Sequence, residues 1–350
     1  MTRSLPLAAL LLGLNATTAL AEVPLTFAGE GQLAGAWSNK PAEDRWSAYA
    51  AYQLEATAER TSDSGLIYGA TVKLGSGDYE EGSGPGINAK FTVNEWYLFL
   101  ESAYGRVRVG DEDGAADRAL LLLPIIGAGQ MEGFWTEAAG VAPPSGYLGR
   151  DSDDATKIFY ETPEALPVTL GVSYAPERES LFEDIEEPSE IAPEKHFLEL
   201  AASWRGESGP VTYELGAAWK RAEARRPFLR DTNGYSVAGV ASYGGFQLGA
   251  VWFDDGRSGR FKGAPGGDTQ GTTVQGTYEN GPYGLTLFRH DSEVEGTLDY
   301  AATGIGLAWR VRPEVTLGLD LVRWEAERAR TQGGGRDDGL VGLLAVQAEF

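Results

Sequence analysis

The chain of 350 residues contains no cysteine and only two histidines, His196 and His290. The missing cysteines exclude a disulfide framework and a thiolate metal site. The two histidines lie far apart in the sequence, so they do not indicate a histidine-based metal centre. Either of them could serve a serine hydrolase, but the G-x-S-x-G nucleophile motif is absent. The sequence therefore gives little support to enzymatic chemistry.

Long apolar runs are also missing from most of the chain. Beyond the first 21 residues, the longest such run lies near Leu120 to Ile126. A transmembrane helix needs about 20 apolar residues, so helical spans are excluded there. If this part of the chain lies in a membrane, it must form a closed barrel, because only closure leaves no backbone group unpaired in lipid.

Basic residues are scarce, with 29 Lys and Arg against 51 Asp and Glu and a net charge of −22. A phosphate backbone would be repelled by such a surplus of acids, so we expect no nucleic-acid partner. We expect the protein to interact with cations instead.

The first 21 residues have the features of a secretory signal peptide. Arg3 supplies the positive charge, Leu5 to Leu14 form an apolar core, and Ala19-Leu20-Ala21 provide an A-x-A cleavage site. The sequence therefore predicts an exported mature chain of residues 22–350, with a net charge of −23 once Arg3 is removed.

Period-two alternation recurs down the rest of the chain. From Trp46 to Glu59 the even positions are apolar or small, whereas the odd positions include Gln53, Glu55 and Thr57. Such a pattern predicts strands with one apolar and one polar face. The segments that show it are 25–38, 45–60, 65–75, 91–102, 104–110, 155–162, 166–175, 195–206, 209–223, 234–243, 245–254, 270–280, 283–291, 297–311, 314–326 and 339–350.

The connections between these sixteen predicted strands alternate between tight and long. Tight ones include Gly244, Gly281-Pro282 and Arg312-Pro313, and most of the others are longer and polar. Short turns at one rim and long loops at the other are typical of a transmembrane β-barrel. A soluble all-β sandwich or propeller is the alternative, but it would not show this asymmetry.

Three stretches carry a family resemblance: Ala103 to Asp111, Lys157 to Pro163 with Val168 to Tyr174, and Val346 to Phe350. They are similar to the general porins of Gram-negative bacteria, in particular to their alphaproteobacterial branch. Ala103 to Asp111 resembles the fifth-strand segment that leads into a long third loop. Lys157 to Pro163, followed by Val168 to Tyr174, resembles the hairpin that leaves this loop. Val346 to Phe350 resembles the last strand, whose terminal Phe the outer-membrane insertion machinery reads.

The resemblance implies an all-β fold, a transmembrane antiparallel β-barrel of about 16 strands formed by residues 22–350. It further implies a homotrimer in the outer membrane, in contact with lipid and lipopolysaccharide, that lets small hydrophilic solutes and ions diffuse passively without a cofactor. The longest connection, residues 111–154, would be the third loop, folded into the lumen as the constriction. An outer-membrane lipid hydrolase and a non-channel adhesion barrel remain alternatives.

The candidate site combines acids of this loop with charges of the wall. Arg106 and Arg108 share one face of the predicted fifth strand, opposite Val107 and Val109, so we expect both arginines to point into the lumen. The same parity argument places Lys73 and Glu55 there. The predicted acidic edge of the loop consists of Asp111, Glu112, Asp113, Asp117, Glu132 and Glu137. A transverse field between the two sides would select solutes by size and charge, with cations preferred.

Two acidic segments suggest cation binding. In the loop, Asp111, Asp113 and Asp117, and likewise Asp151 to Asp154, could offer oxygen ligands to calcium, although neither set matches the full twelve-residue calcium loop. Residues 176–194 hold eight carboxylates and one arginine. This second segment is either a solvated exterior loop or a site for divalent-cation bridging to lipopolysaccharide.

The last predicted strand departs from the alternating pattern, because Val341 and Leu343 are apolar on the face that should be polar.

Overall fold

The computed structural model describes residues 23–40, 45–76, 91–120, 123, 135–145, 149–178, 194–330 and 333–350. The proposed signal peptide, Glu132 and most of the acidic segment 176–194 lie outside these residues. The strands are β1 (Leu25–Ser38), β2 (Trp46–Thr61), β3 (Ile67–Ser76), β4 (Phe91–Ser102), β5 (Gly105–Asp111), β6 (Thr156–Glu161), β7 (Val168–Glu177), β8 (Glu194–Ser208), β9 (Val211–Ala224), β10 (Thr232–Tyr243), β11 (Phe246–Gly256), β12 (Thr269–Asn280), β13 (Tyr283–Val294), β14 (Leu298–Arg312), β15 (Val315–Arg328) and β16 (Gly335–Glu349).

These sixteen strands form one closed antiparallel barrel in sequence order. β1 closes the sheet by pairing with β16, in a register that runs from Glu30 opposite Glu349 to Ser38 opposite Val341. Gly29 and Phe350 exchange both backbone hydrogen bonds at 3.0 and 2.9 Å. The predicted fold and strand number are confirmed, and every predicted strand end lies within four residues of the observed one.

The two faces of the sheet follow the predicted alternation. Large apolar side chains such as Leu33, Trp46, Leu319 and Leu344 are exposed on the outer face, whereas polar and charged side chains of the inner face are buried. An outer face of this kind is suited to lipid and not to water. Several exposed aromatic residues lie near strand ends: Trp46, Tyr174, Tyr243, Phe246, Tyr278 and Tyr283.

Tight turns join the strands at one rim. Gly244 and Gly281 adopt φ values of 57° and 60°, a left-handed conformation that glycine reaches without steric strain. Each joins two strands through a connection of two residues, 244–245 and 281–282.

The described part of the connection between β5 and β6 contains two short helices, α1 (Ala115–Leu120) and α2 (Trp135–Ala138). In the described part of the chain, neither helix is long enough to cross a membrane. α1 packs against β7, β8, β9 and β10, whereas α2 packs against β1 and β16.

The apolar residues Val341 and Leu343 of β16 are explained by this packing. Both side chains are buried, in the same apolar cluster as Leu120 of α1 and Trp135 of α2. Their apolar character fits this environment, because neighbouring side chains and not water surround them.

We expect a charge on the outer face to weaken the barrel far more than one on the inner face. Leu319 is 54% exposed and lies between Leu307 and Leu344 of the neighbouring strands. Leu319→Arg should lower the free energy of unfolding in lipid vesicles by about 2–4 kcal/mol, because the guanidinium would enter hydrocarbon. Gln32→Arg, at a half-buried inner position, is the control. Equal losses in both variants would contradict the assignment of the faces.

Candidate functional site

Arg108 lies on the inner face of β5, as predicted, but it is 2% exposed. Its guanidinium contacts Glu112 at 3.2 Å and Glu161 at 3.1 Å. It also lies over the rings of Tyr97 and Phe159, at 5.7 and 5.4 Å from their centroids. Its charge is therefore held between two carboxylates and is shielded from the open lumen.

Arg106 lies two residues earlier, on the same face of β5, and is more accessible. Its Nη2 contacts Glu101 Oε2 at 2.5 Å, and both side chains are about one third exposed. The guanidinium also lies 5.4 Å from the ring centroid of Phe99. The two arginines thus share a face but have different surroundings.

The first two acids of the loop are buried beside the wall. Asp111 accepts hydrogen bonds from Trp96 Nε1, at 2.7 Å, and from the Thr156 hydroxyl. Glu112 is paired with Arg108, and its burial raises the pKa of its carboxyl to about 7, an effect that the nearby arginines Arg108 and Arg118 oppose. These two acids bind the loop to the barrel.

Asp113 and Asp117 are half-buried. Lys73 contacts Glu95 at 2.5 Å, and oxygens of Glu95, Asp113 and Asp154 lie within 4.8 Å of one another. Lys73 of the wall and Asp113 of the loop therefore belong to one charged group, together with Glu95 and Asp154.

The remaining predicted site residues are less informative. Glu55 is half-buried on β2 and accepts a hydrogen bond from Thr57 at 3.0 Å. The backbone of Glu137 belongs to α2, but its side chain, like the whole of Glu132, lies outside the described residues.

The predicted calcium set differs from the carboxylates that the structure groups together. Asp113 is in the group with Glu95 and Asp154, whereas Asp111 and Asp117 are not in it. Asp111 is directed towards Trp96 and Thr156 instead. Calcium binding by Asp111, Asp113 and Asp117 stays a prediction.

Sequence reasoning missed Glu95 because the register shifts between β3 and β4. Lys73 pairs with Glu95 but the next residue, Leu74, pairs with Val93. Val93 is 41% exposed and Glu95 is 2% exposed, although both have odd numbers. Strict alternation would have placed them on one face. Glu161 was also missed, although it shares the parity of Lys157 on β6 and could have been found by the same argument as Arg106.

The two histidines lie in different settings. His290 is fully buried, and its Nδ1 and Nε2 contact the hydroxyls of Thr273 and Ser292 at 2.9 and 2.8 Å. His196 is exposed, and its Nδ1 contacts the Tyr174 hydroxyl at 2.7 Å. The serine–histidine contact at His290 is thus enclosed, with no exposed surface on the ring where a substrate could approach.

A closed sixteen-stranded barrel with an apolar outer face and a charged inner face defines the class of multi-pass β-barrel membrane channels. The family model described as Gram-negative porin matches residues 7–348. The chain belongs to the Gram-negative porin family: it forms a channel in the outer membrane and is not an enzyme.

Solved porin structures have the same fold. A mutant of the Rh. blastica porin has a TM-score of 0.63 and 16% identity, and the match covers 93% of this chain and 100% of that one. A triple mutant of Rhodopseudomonas blastica porin has a TM-score of 0.62 with the same identity and coverage. A porin refined at 1.8 Å resolution has a TM-score of 0.62, 15% identity and the same coverage. No curated protein sequence matches this chain.

Arg108→Gln should cost more stability than Arg106→Gln. The loss of Arg108 leaves Glu112 and Glu161 without their buried partner, which typically costs about 3–5 kcal/mol. Arg106 is partly exposed, and its pair with Glu101 is worth about 1 kcal/mol or less. Guanidinium unfolding of the two variants measures the difference, and similar midpoints for both would show that Arg108 is not a buried partner.

The stability that depends on Glu112 should fall as the pH rises from about 4.5 to 7. A raised pKa means that the folded protein binds the proton more tightly than the unfolded chain in this window, so deprotonation favours unfolding. The loss is at most about 3 kcal/mol, at 1.36 kcal/mol per pKa unit. It is read as the difference in free energy of unfolding between the wild type and Glu112→Gln. A difference that does not change with pH would contradict the raised pKa.

Proposed function

We propose that this porin is a cation-preferring diffusion channel for small hydrophilic solutes, and that residues 111–154 narrow its lumen. The observation that carries the proposal is the packing of the two helices. α1 lies against β7 to β10 and α2 against β1 and β16, on the face opposite to the exposed apolar side chains. A segment that touches the inner wall at two separated places leaves only part of the cross-section for solutes.

The burial and the contacts of three inner basic residues support a preference for cations. Arg108, Lys157 and Lys220 are at most 2% exposed. Lys157 donates hydrogen bonds to the carbonyl oxygens of Glu112 and Asp153, and Lys220 Nζ lies 3.7 Å from Asp255. Their charges are compensated by contacts within the protein and therefore attract anions only weakly.

Accessible inner charges are mostly acidic or paired. Glu30, Glu55, Asp113 and Asp117 remain half-buried. Lys73 and Arg106 are accessible, but each contacts a carboxylate. Local lumen charge decides ion selectivity, so this excess of acids favours cations. Asp113 and Asp117 are the residues that we propose as the negative edge, with Lys73 and Arg106 as the basic residues of the wall.

Association into a homotrimer and contact with lipopolysaccharide are further proposals, which rest on the family. The small residues Gly31, Gly35, Ala48 and Gly342 lie on the outer face of β1, β2 and β16 and would permit close approach of a second subunit. Mass measurement of the detergent-solubilised protein tests the trimer, and a monomer mass would refute it.

Neutralising the loop acids should weaken the cation preference. For Asp113→Asn with Asp117→Asn in a planar bilayer under a salt gradient, we expect the reversal potential to move towards zero. Asp63→Asn changes the net charge on an exposed turn between β2 and β3 and should leave the reversal potential unchanged. The selectivity proposal is refuted if the double variant behaves like this control. Absence of discrete conductance steps in the wild type would refute the channel itself.

A further inference from the structure

Glu199 is a fully buried carboxylate on the inner face of β8, outside the predicted charge set. Its Oε1 accepts a hydrogen bond from the backbone N–H of Ser152 at 2.8 Å. Its Oε2 accepts one from the N–H of Ala116 at 3.0 Å and one from the Ser173 hydroxyl at 3.0 Å. One side chain therefore contacts both described ends of the connection between β5 and β6.

Ser173 of β7 extends this contact to the start of α1. Its hydroxyl donates to Glu199 and accepts a hydrogen bond from the N–H of Ala115 at 3.0 Å. The first N–H groups of a helix have no partner within the helix. Two wall side chains thus satisfy the backbone where the segment turns away from β5.

Gly114 makes the close approach of Glu199 possible. A Cβ at this position would overlap the Glu199 carboxylate and would lie 2.6 Å from Ser152 Oγ. Any larger residue would separate the carboxylate from α1. The glycine, the glutamate and the serines form one fitted contact.

Lys220 of β9 lies directly opposite Glu199 in the strand register and is also fully buried. A second contact secures the returning end of the segment, where the N–H of Arg150 donates to Asp255 Oδ2 and its Nε donates to Glu194 Oε1, both at 2.8 Å. Hydrogen bonds to a charged acceptor are stronger than those between neutral groups.

We propose that Glu199 is the positioning residue that holds the segment 111–154 against β7 and β8 and thereby sets the width of the channel. This inference rests on the proposed function. Without the carboxylate, both described ends lose an acceptor in a buried place, and each unsatisfied donor costs about 1–3 kcal/mol. The segment would then move away from the wall and fluctuate in the lumen.

The test compares single-channel recordings of the wild type and Glu199→Gln in planar bilayers. The glutamine keeps the shape but has a single acceptor oxygen, so it can hold only one of the two ends. We expect altered conductance with larger open-channel current fluctuations, and faster entry of larger sugars in liposome swelling. Glu214→Gln is the matched control, because Glu214 is an inner glutamate of β9 that contacts Arg205 and not the segment.

An engineered disulfide separates positioning from a general loss of stability. A Cβ at Gly171 would lie 3.3 Å from the Cβ of Ala115, close to the roughly 3.5–4.5 Å of a disulfide. The chain has no cysteine that could compete. In the Glu199→Gln background, Ala115→Cys with Gly171→Cys should restore wild-type recordings when oxidised and lose them on reduction.

Each result decides between the proposals. Wild-type recordings from Glu199→Gln, or noisy recordings that the oxidised disulfide does not quieten, would overturn the role of Glu199. A wild type that does not conduct would refute the channel function instead. If Glu199→Gln alone fails to fold, the variant with Ala115→Cys and Gly171→Cys in the Glu199→Gln background is recorded instead, first oxidised and then after reduction. Gly114→Ala, which displaces Glu199 without removing it, should show the same fluctuations.

Discussion

Backbone hydrogen bonding in lipid is the constraint on which the rest of the structure depends. An unpaired peptide group in hydrocarbon costs several kcal/mol, so a sheet that crosses the membrane must close on itself. Here the closure is the pairing of β1 with β16, completed by the reciprocal bonds of Gly29 and Phe350. Once the sheet is closed, the alternation of side chains divides it into a lipid face and an interior. The apolar outside and polar inside follow from this one requirement.

The interior then has to satisfy its own polar groups. A buried charge is tolerated only when it is paired and hydrogen-bonded. Arg108 meets this condition between Glu112 and Glu161, and Lys220 is paired with Asp255. The same chemistry that keeps the wall stable also holds the connection between β5 and β6 against it, because Glu112 and Glu199 contact both. The stability of the barrel and the position of this connection are therefore linked through shared side chains.

Much of the architecture could be predicted because it depends on local patterns. The alternation from Trp46 to Glu59 correctly assigns the faces of β2, and the tight turns at Gly244 and Gly281 identify one rim. Glu95 could not be placed in this way, because the register shift between β3 and β4 reverses the parity of neighbouring positions. Asp111 accepts hydrogen bonds from Trp96 and Thr156, which belong to two other strands. Only the three-dimensional register brings them together.

The odd or even position of a residue in a strand also predicts the face to which its side chain points, but not which residues surround that side chain. Arg106 and Arg108 have the same parity, yet one is one third exposed and the other is enclosed. The difference arises because Glu112, the residue that follows β5, contacts Arg108, while Arg106 stays near the turn at residues 103–104. A charge enclosed by its partners contributes little field to the lumen, whereas a half-buried one does. This is why the proposed selectivity is assigned to half-buried residues such as Asp113 and Asp117 and not to Arg108.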